Sequence, residues 1–136
     1  VMRIPGRVQG VERGKKMSLL INNENGNIEV SNDVIATIVG GAATEIFGIV
    51  GMASRKQVRD GLNEILKRDN YAKGIEVRQE RDQVIIDVYI IVSYGIKITE
   101  VSKNVQERVR YQLKSTLGIE ASSVNVFVQG VRVSNR

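Results

Sequence analysis

Val84-Ile85-Ile86-Asp87-Val88-Tyr89-Ile90-Ile91-Val92 is a run of β-branched and aromatic residues broken by a single acid. Side chains alternate across a strand, so Val84, Ile86, Val88, Ile90 and Val92 form one wholly aliphatic face. Ile85, Asp87, Tyr89, Ile91 and Ser93 form the other, which is mixed. A strand of this kind belongs at the centre of a sheet, sealed by a core on one side. Ile75-Glu76-Val77-Arg78 alternates just before it, and Glu80-Arg81-Asp82-Gln83 supplies a turn, so the two strands read as a hairpin.

Downstream, Ser93-Tyr94-Gly95 breaks the strand, and Thr99 is placed to cap a helix that runs to Leu117 and stops at Gly118. At 100° per residue, Ile98, Val101, Val105, Val109, Leu113 and Leu117 sweep one arc. Glu100, Lys103, Glu107, Arg110 and Lys114 lie opposite, so the helix is expected to lie on a sheet. Gln106 falls inside the apolar arc and needs a hydrogen-bond partner if buried. Residues 122–133 form the last strand, with Val124, Val126 and Val128 on one face and Asn125, Phe127, Gln129 and Val131 on the other.

Upstream, Gly26-Asn27-Ile28-Glu29-Val30 reads as a short strand, and Ser31-Asn32-Asp33 offers N-cap oxygens for a helix. Val34, Ile35, Ile38, Val39, Ala42, Ala43 and Ile46 give its apolar stripe. Ala36, Gly40 and Ala43 make a small-residue strip suited to close packing, here expected against a sheet. Residues 48–52 return as a strand, and 58–68 read as a second, shorter helix with Val58, Leu62, Ile65 and Leu66 inward. The order is β-α-β-α-β-β-α-β: an α+β fold in one domain over residues 17–136, with a mixed or mostly antiparallel sheet packed by amphipathic helices.

Residues 1–16 carry Arg3, Arg7, Arg13, Lys15 and Lys16 against Glu12 alone, together with the only proline. They read as a disordered leader or added tail. Glu12-Arg13-Gly14-Lys15-Lys16 can be encoded by a purine-rich ribosome-binding sequence, so Met17 is the expected start of translation. Intact-mass analysis of the native protein tests this. The rival reading is a basic arm for anionic lipid or RNA. Residues 17–136 then hold 15 basic and 14 acidic side chains, so the net charge of +5 is largely a property of the tail. General attraction to phosphate is correspondingly weak.

The chain has no cysteine and no histidine. That excludes disulfides, thiolate chemistry and the commonest general base and metal ligand. There is no P-loop, dinucleotide fingerprint or nucleophile elbow. No catalytic, cofactor-binding or metal-binding residue is expected, and the protein reads as a non-enzyme. Asp82 and Asp87 fall on opposite faces of a straight strand, which makes a poor acid–base pair. Lys97, alone in a turn, reads as solvated. No apolar run is long enough to cross a bilayer, and no signal-peptide pattern is present.

Two features could bind nucleic acid. Gly48-Ile49-Val50-Gly51 matches the GxxG of phosphate-clamping loops, but Ile49 and Val50 stand where polar or basic residues usually serve. Tyr89 and Phe127 could stack bases from a sheet face, but their neighbours include no cationic cluster. That outer face, with Ile85, Tyr89, Ile91, Phe127 and Val131 among polar residues, is too apolar for open water unless helix 58–68 covers it. It is the candidate protein-interaction surface.

Five segments carry a resemblance: Ile28-Glu-Val-Ser-Asn-Asp-Val-Ile-Ala36, Gly51-Met-Ala-Ser54, Tyr89-Ile-Ile-Val-Ser-Tyr-Gly95, Glu100-Val-Ser-Lys-Asn-Val-Gln-Glu-Arg-Val109 and Val124-Asn-Val-Phe-Val-Gln-Gly-Val131. In this order they resemble the alkaline-shock-protein family of Gram-positive bacteria, its short YloU-like subgroup most closely. The resemblance spans residues 24–133. It implies a cytoplasmic protein tied to envelope, alkaline or general stress, without enzymatic activity or cofactor. It also implies protein partners: further copies of itself, or a separate membrane-anchored protein that holds it at the membrane. A link to fatty-acid metabolism is implied by the genes that neighbour the subgroup. The expected function is therefore that of a scaffold or interaction protein, with a nucleic-acid-binding module as the alternative.

Overall fold

The computed structural model describes residues 7–13, 16–54, 65–66 and 68–133. Its centre is the strand β7 (Gln83–Ser93), as the alternation predicts: Ile86, Val88, Ile90 and Val92 have no solvent exposure. One edge of β7 is paired along residues 85–93 by β8 (Ser123–Arg132), which runs parallel to it. The other edge is shared. β6 (Ile75–Glu80) pairs antiparallel with residues 83–88, and β4 (Ile49–Ala53) with residues 90–92. β5 (Ile65–Leu66) pairs antiparallel with β4 and completes a mixed five-stranded sheet.

Two helices lie on the face bearing Val84, Ile86, Val88, Ile90 and Val92. α1 (Asn32–Ala43) buries Ile35, Ala36, Val39, Gly40, Ala42 and Ala43. The Ser31 hydroxyl accepts the Val34 N–H at 3.3 Å, so the expected N-cap forms. α1 ends three residues before the predicted Ile46, because Thr44 caps it and turns its hydroxyl back to the Gly41 carbonyl at 2.6 Å. α2 (Ile98–Leu117) buries Val101, Val105, Val109 and Leu113 and stops at left-handed Gly118 (φ 70°). Its N-cap is Lys97 rather than Thr99 and makes no side-chain capping bond. α2 is the crossover that parallel β7 and β8 require. Gln106 finds its partner across that crossover, donating to the Val124 carbonyl at 3.0 Å.

Three expectations are corrected. Residues 7–13, read as part of a disordered tail, form β1 (Arg7–Arg13), antiparallel to β2 (Lys16–Asn23). β2 pairs in turn with β3 (Gly26–Ser31) in a separate three-stranded sheet. Charge and glycine content argue against a strand read in isolation, but a ladder is made by backbone groups, and β2 supplies the partner. Second, the apolar spacing places Ile65 and Leu66 in a helix over 58–68. They pair instead with Ala53 and Met52, and Arg68–Gly74 winds as a 3₁₀ segment. The remainder of that expected helix, residues 58–64 and 67, lies outside the described residues. Third, the glycine at the middle of the small-residue strip of α1, Gly40, packs against the 3₁₀ segment rather than the sheet. A Cβ on Gly40 would lie 3.1 Å from the Ala72 nitrogen and 3.3 Å from the Tyr71 Cβ.

Candidate interaction surface

The outer face of the sheet is built around Asp87. Its strand neighbours on that face are Glu76 from β6 and Asn125 from β8. Arg78 reaches it from β6 with a two-pronged contact, Nε to Oδ2 at 2.8 Å and Nη2 to Oδ1 at 3.3 Å. Asn125 donates to Oδ1 at 2.9 Å, while Arg78 Nη1 reaches Glu80 at 2.7 Å. Asp87 is only 3% exposed. Burial pushes its carboxyl up, but the hydrogen bonds from Arg78 and Asn125, with the Arg78 charge, outweigh burial and hold it below the usual carboxylate range. Asp82 sits in the β6–β7 turn with φ 68°, so it is not on the strand that carries Asp87. Among the described residues no cluster of acidic side chains could hold a metal ion.

Above this polar network Tyr89 and Phe127 stack, ring centroids 4.8 Å apart and planes 16° from parallel. Opposite placement in the parallel register produces the stack. Phe127 is 39% exposed, and Tyr89 is half-buried. Ile85 and Ile91 share this face but are buried, so they support the surface rather than present it.

Val131 is not on this face. The β7–β8 ladder shifts between Ile90 and Ile91, so Val128 opposes Ile90 while Gly130 opposes Ile91. Gln129 is the extra residue of a bulge, and beyond it the alternation of β8 is inverted. Val131 therefore opposes Val92 and sits half-exposed at the end of the sheet. Of the five residues assigned to the surface, Tyr89 and Phe127 form its accessible centre.

The structure also exposes apolar residues that the sequence reading passed over. Phe47 is 86% and Tyr94 71% exposed. Each directly precedes a glycine with positive φ, Gly48 (101°) and Gly95 (87°). An aromatic at a turn glycine belongs to neither a helical arc nor a strand face, and that was the available signal. Beside Phe47 is an open cleft of about 430 Å³, lined by Ile46, Gly48, Ile49, Ser93 and Ile96.

The two glycines of the GxxG have packing roles. A Cβ on Gly48 would lie 2.9 Å from Val101 Cγ2 and 3.0 Å from Ile96 Cγ2. Gly51 is inside β4, paired with Ile91, and a Cβ there would collide with Ile65 Cγ2.

A model of the alkaline-shock-protein-23 family, of cell envelope-related function, matches residues 20–133. The chain is 54% identical over 119 residues to the uncharacterised protein YloU of Bacillus subtilis (strain 168), covering 88% of this chain and 99% of that protein. It is 53% identical over 117 residues to the uncharacterised protein Spy1614 of Streptococcus pyogenes serotype M6, covering 86% and 97%. A second Bacillus subtilis protein, the uncharacterised YqhY, is 31% identical over 111 residues, covering 82% and 81%. No solved structure matches the chain significantly.

Proposed function

The chain belongs to the alkaline-shock-protein-23 family, and from that premise we propose that it is a non-enzymatic scaffold of the cell-envelope stress system, acting through protein contacts. The observation that carries the reading is the Tyr89–Phe127 stack on the sheet face opposite α1 and α2. The buried core gathers α1, α2 and the inner residues of β7, and leaves the stack outside it. A stacked aromatic pair, Phe127 exposed and Tyr89 half-buried, beside the polar network of Asp87, Arg78 and Asn125 has the make-up of a contact patch: an apolar centre with a polar margin. Its partner is a further copy of the chain or a membrane-anchored protein, which keeps the protein at the inner side of the membrane.

Phe127→Asp places a charge at the centre of that patch without touching the core. Light scattering over a concentration series is expected to show a defined oligomer for the natural chain and a monomer for the variant, with equal melting temperatures. Alternatively, a monomeric natural chain is expected to capture a membrane-anchored protein that Phe127→Asp does not. Association that Phe127→Asp leaves unchanged overturns the surface.

A further inference from the structure

At one end of the five-stranded sheet, three chain segments are stitched side by side. The Ser93 N–H donates to the Gly48 carbonyl at 2.9 Å, and the Tyr94 N–H to the Arg132 carbonyl at 2.7 Å. These bonds bring the α1–β4 turn, the β7–α2 turn and the end of β8 to one pole. Phe47 and Tyr94 project from the two turns, and Val50, Ile98, Val131 and Val133 are 41–64% exposed on the same segments. The core uses none of these side chains.

The charges around them lean to the positive side. Lys97 and Arg132 are exposed on these segments. Glu45 is tied to Arg108 by a 2.9 Å bond from Nε, which leaves Glu100, one turn into α2, as the other acid of the pole. A phenyl ring 86% exposed at a turn tip is a protrusion.

We propose that this pole is an anchor for the surface of an anionic lipid bilayer. Phe47 and Tyr94 enter the boundary between headgroups and acyl chains, where aromatic rings are favoured. Lys97 and Arg132 meet the lipid phosphates, within reach of the negative surface potential. Two ring tips with two cations make a reversible contact that depends on salt. The anchor shares no residue with the Tyr89–Phe127 patch, so each can fail alone.

The absence of tryptophan from the chain makes the test direct. Phe47→Trp introduces a single indole at the tip. Titration with vesicles of phosphatidylcholine and phosphatidylglycerol at low salt is expected to shift its emission to the blue, and brominated acyl chains to quench it. A single indole from Phe127→Trp is expected to stay unshifted. Lys97→Glu with Arg132→Glu in the Phe47→Trp background is expected to raise the lipid needed for half-saturation by about tenfold or more. Tyr94→Trp reports on the same tip if Phe47→Trp does not fold. Unchanged Phe47→Trp and Tyr94→Trp emission overturns the anchor, as does an equal response from Phe127→Trp or equal binding to phosphatidylcholine alone. Unchanged emission would leave the pole to a protein partner.

Discussion

Burying a carboxylate in a sheet costs free energy unless both oxygens are matched, and three strands share that task at Asp87. Arg78 from β6 and Asn125 from β8 converge on it, so the acid fixes the lateral register of the sheet as well as its own charge. Asp87→Ala is expected to cost about 1–2 kcal/mol, below the usual loss for a fully buried pair because the Arg78 side chain is 35% exposed. The pH dependence gives a second check. The folded carboxyl titrates below its unfolded value of about 3.9, so its contribution is complete above that pH and is lost as pH falls through the folded value. Urea denaturation is therefore expected to show the natural chain and the variant converging in stability below about pH 4. A constant difference across that range would show that the charge is immaterial. Asp87 also shows the reach of the sequence. Its face follows from alternation alone, but its partners do not, since Asn125 comes from a strand whose register no local pattern specifies and Arg78 reaches it diagonally from opposite Ile85. Phe47 was missed for the reverse reason: it belongs to no periodic element.

Helix α1 allows packing and propensity to be separated at neighbouring positions. A glycine in a helix costs about 1 kcal/mol relative to alanine. Nothing lies within 4 Å of a Cβ added at Gly41, whereas one at Gly40 meets the backbone of Tyr71 and Ala72 at 3.1–3.2 Å. Gly41→Ala is expected to stabilise the protein by about 0.5–1 kcal/mol, and Gly40→Ala to destabilise it, because backbone cannot step aside as a side-chain tip can. Thermal unfolding of the two variants checks the pair, and equal shifts would refute the close approach. Legibility among the elements follows the same division. β7 and α2 are plain in the sequence because each repeats one period over many residues. β1 and β2 are not, because their pairing is a property of two segments together. The bulge at Gln129 inserts no distinctive residue, so extrapolating the alternation past it carried Val131 to the wrong face.

At the scale of the whole molecule, residues 17–136 are close to electrical neutrality, and both glycines of the GxxG are occupied by packing. Any RNA binding by the chain is accordingly expected to disappear when residues 1–16 are removed, as filter binding over a salt series would show. Binding that survives trimming with a steep salt slope would revive the nucleic-acid reading. Fold class and element order follow from patterning, whereas the second sheet is a local meander of β1, β2 and β3, and the exposed pole arises from pairings between distant segments. One such pairing bears on synthesis. β4 and β6 never touch as strands; both lean on the same edge of β7, and β7 takes β8 on its other side only after α2 has crossed. On a ribosome that delivers the chain from its amino end, α1 and β4 emerge before the strand that joins them to the rest. The five-stranded sheet closes only when β8 has been made, so a nascent chain stalled before residue 123 displays an open β7 edge to whatever chaperone stands at the tunnel exit.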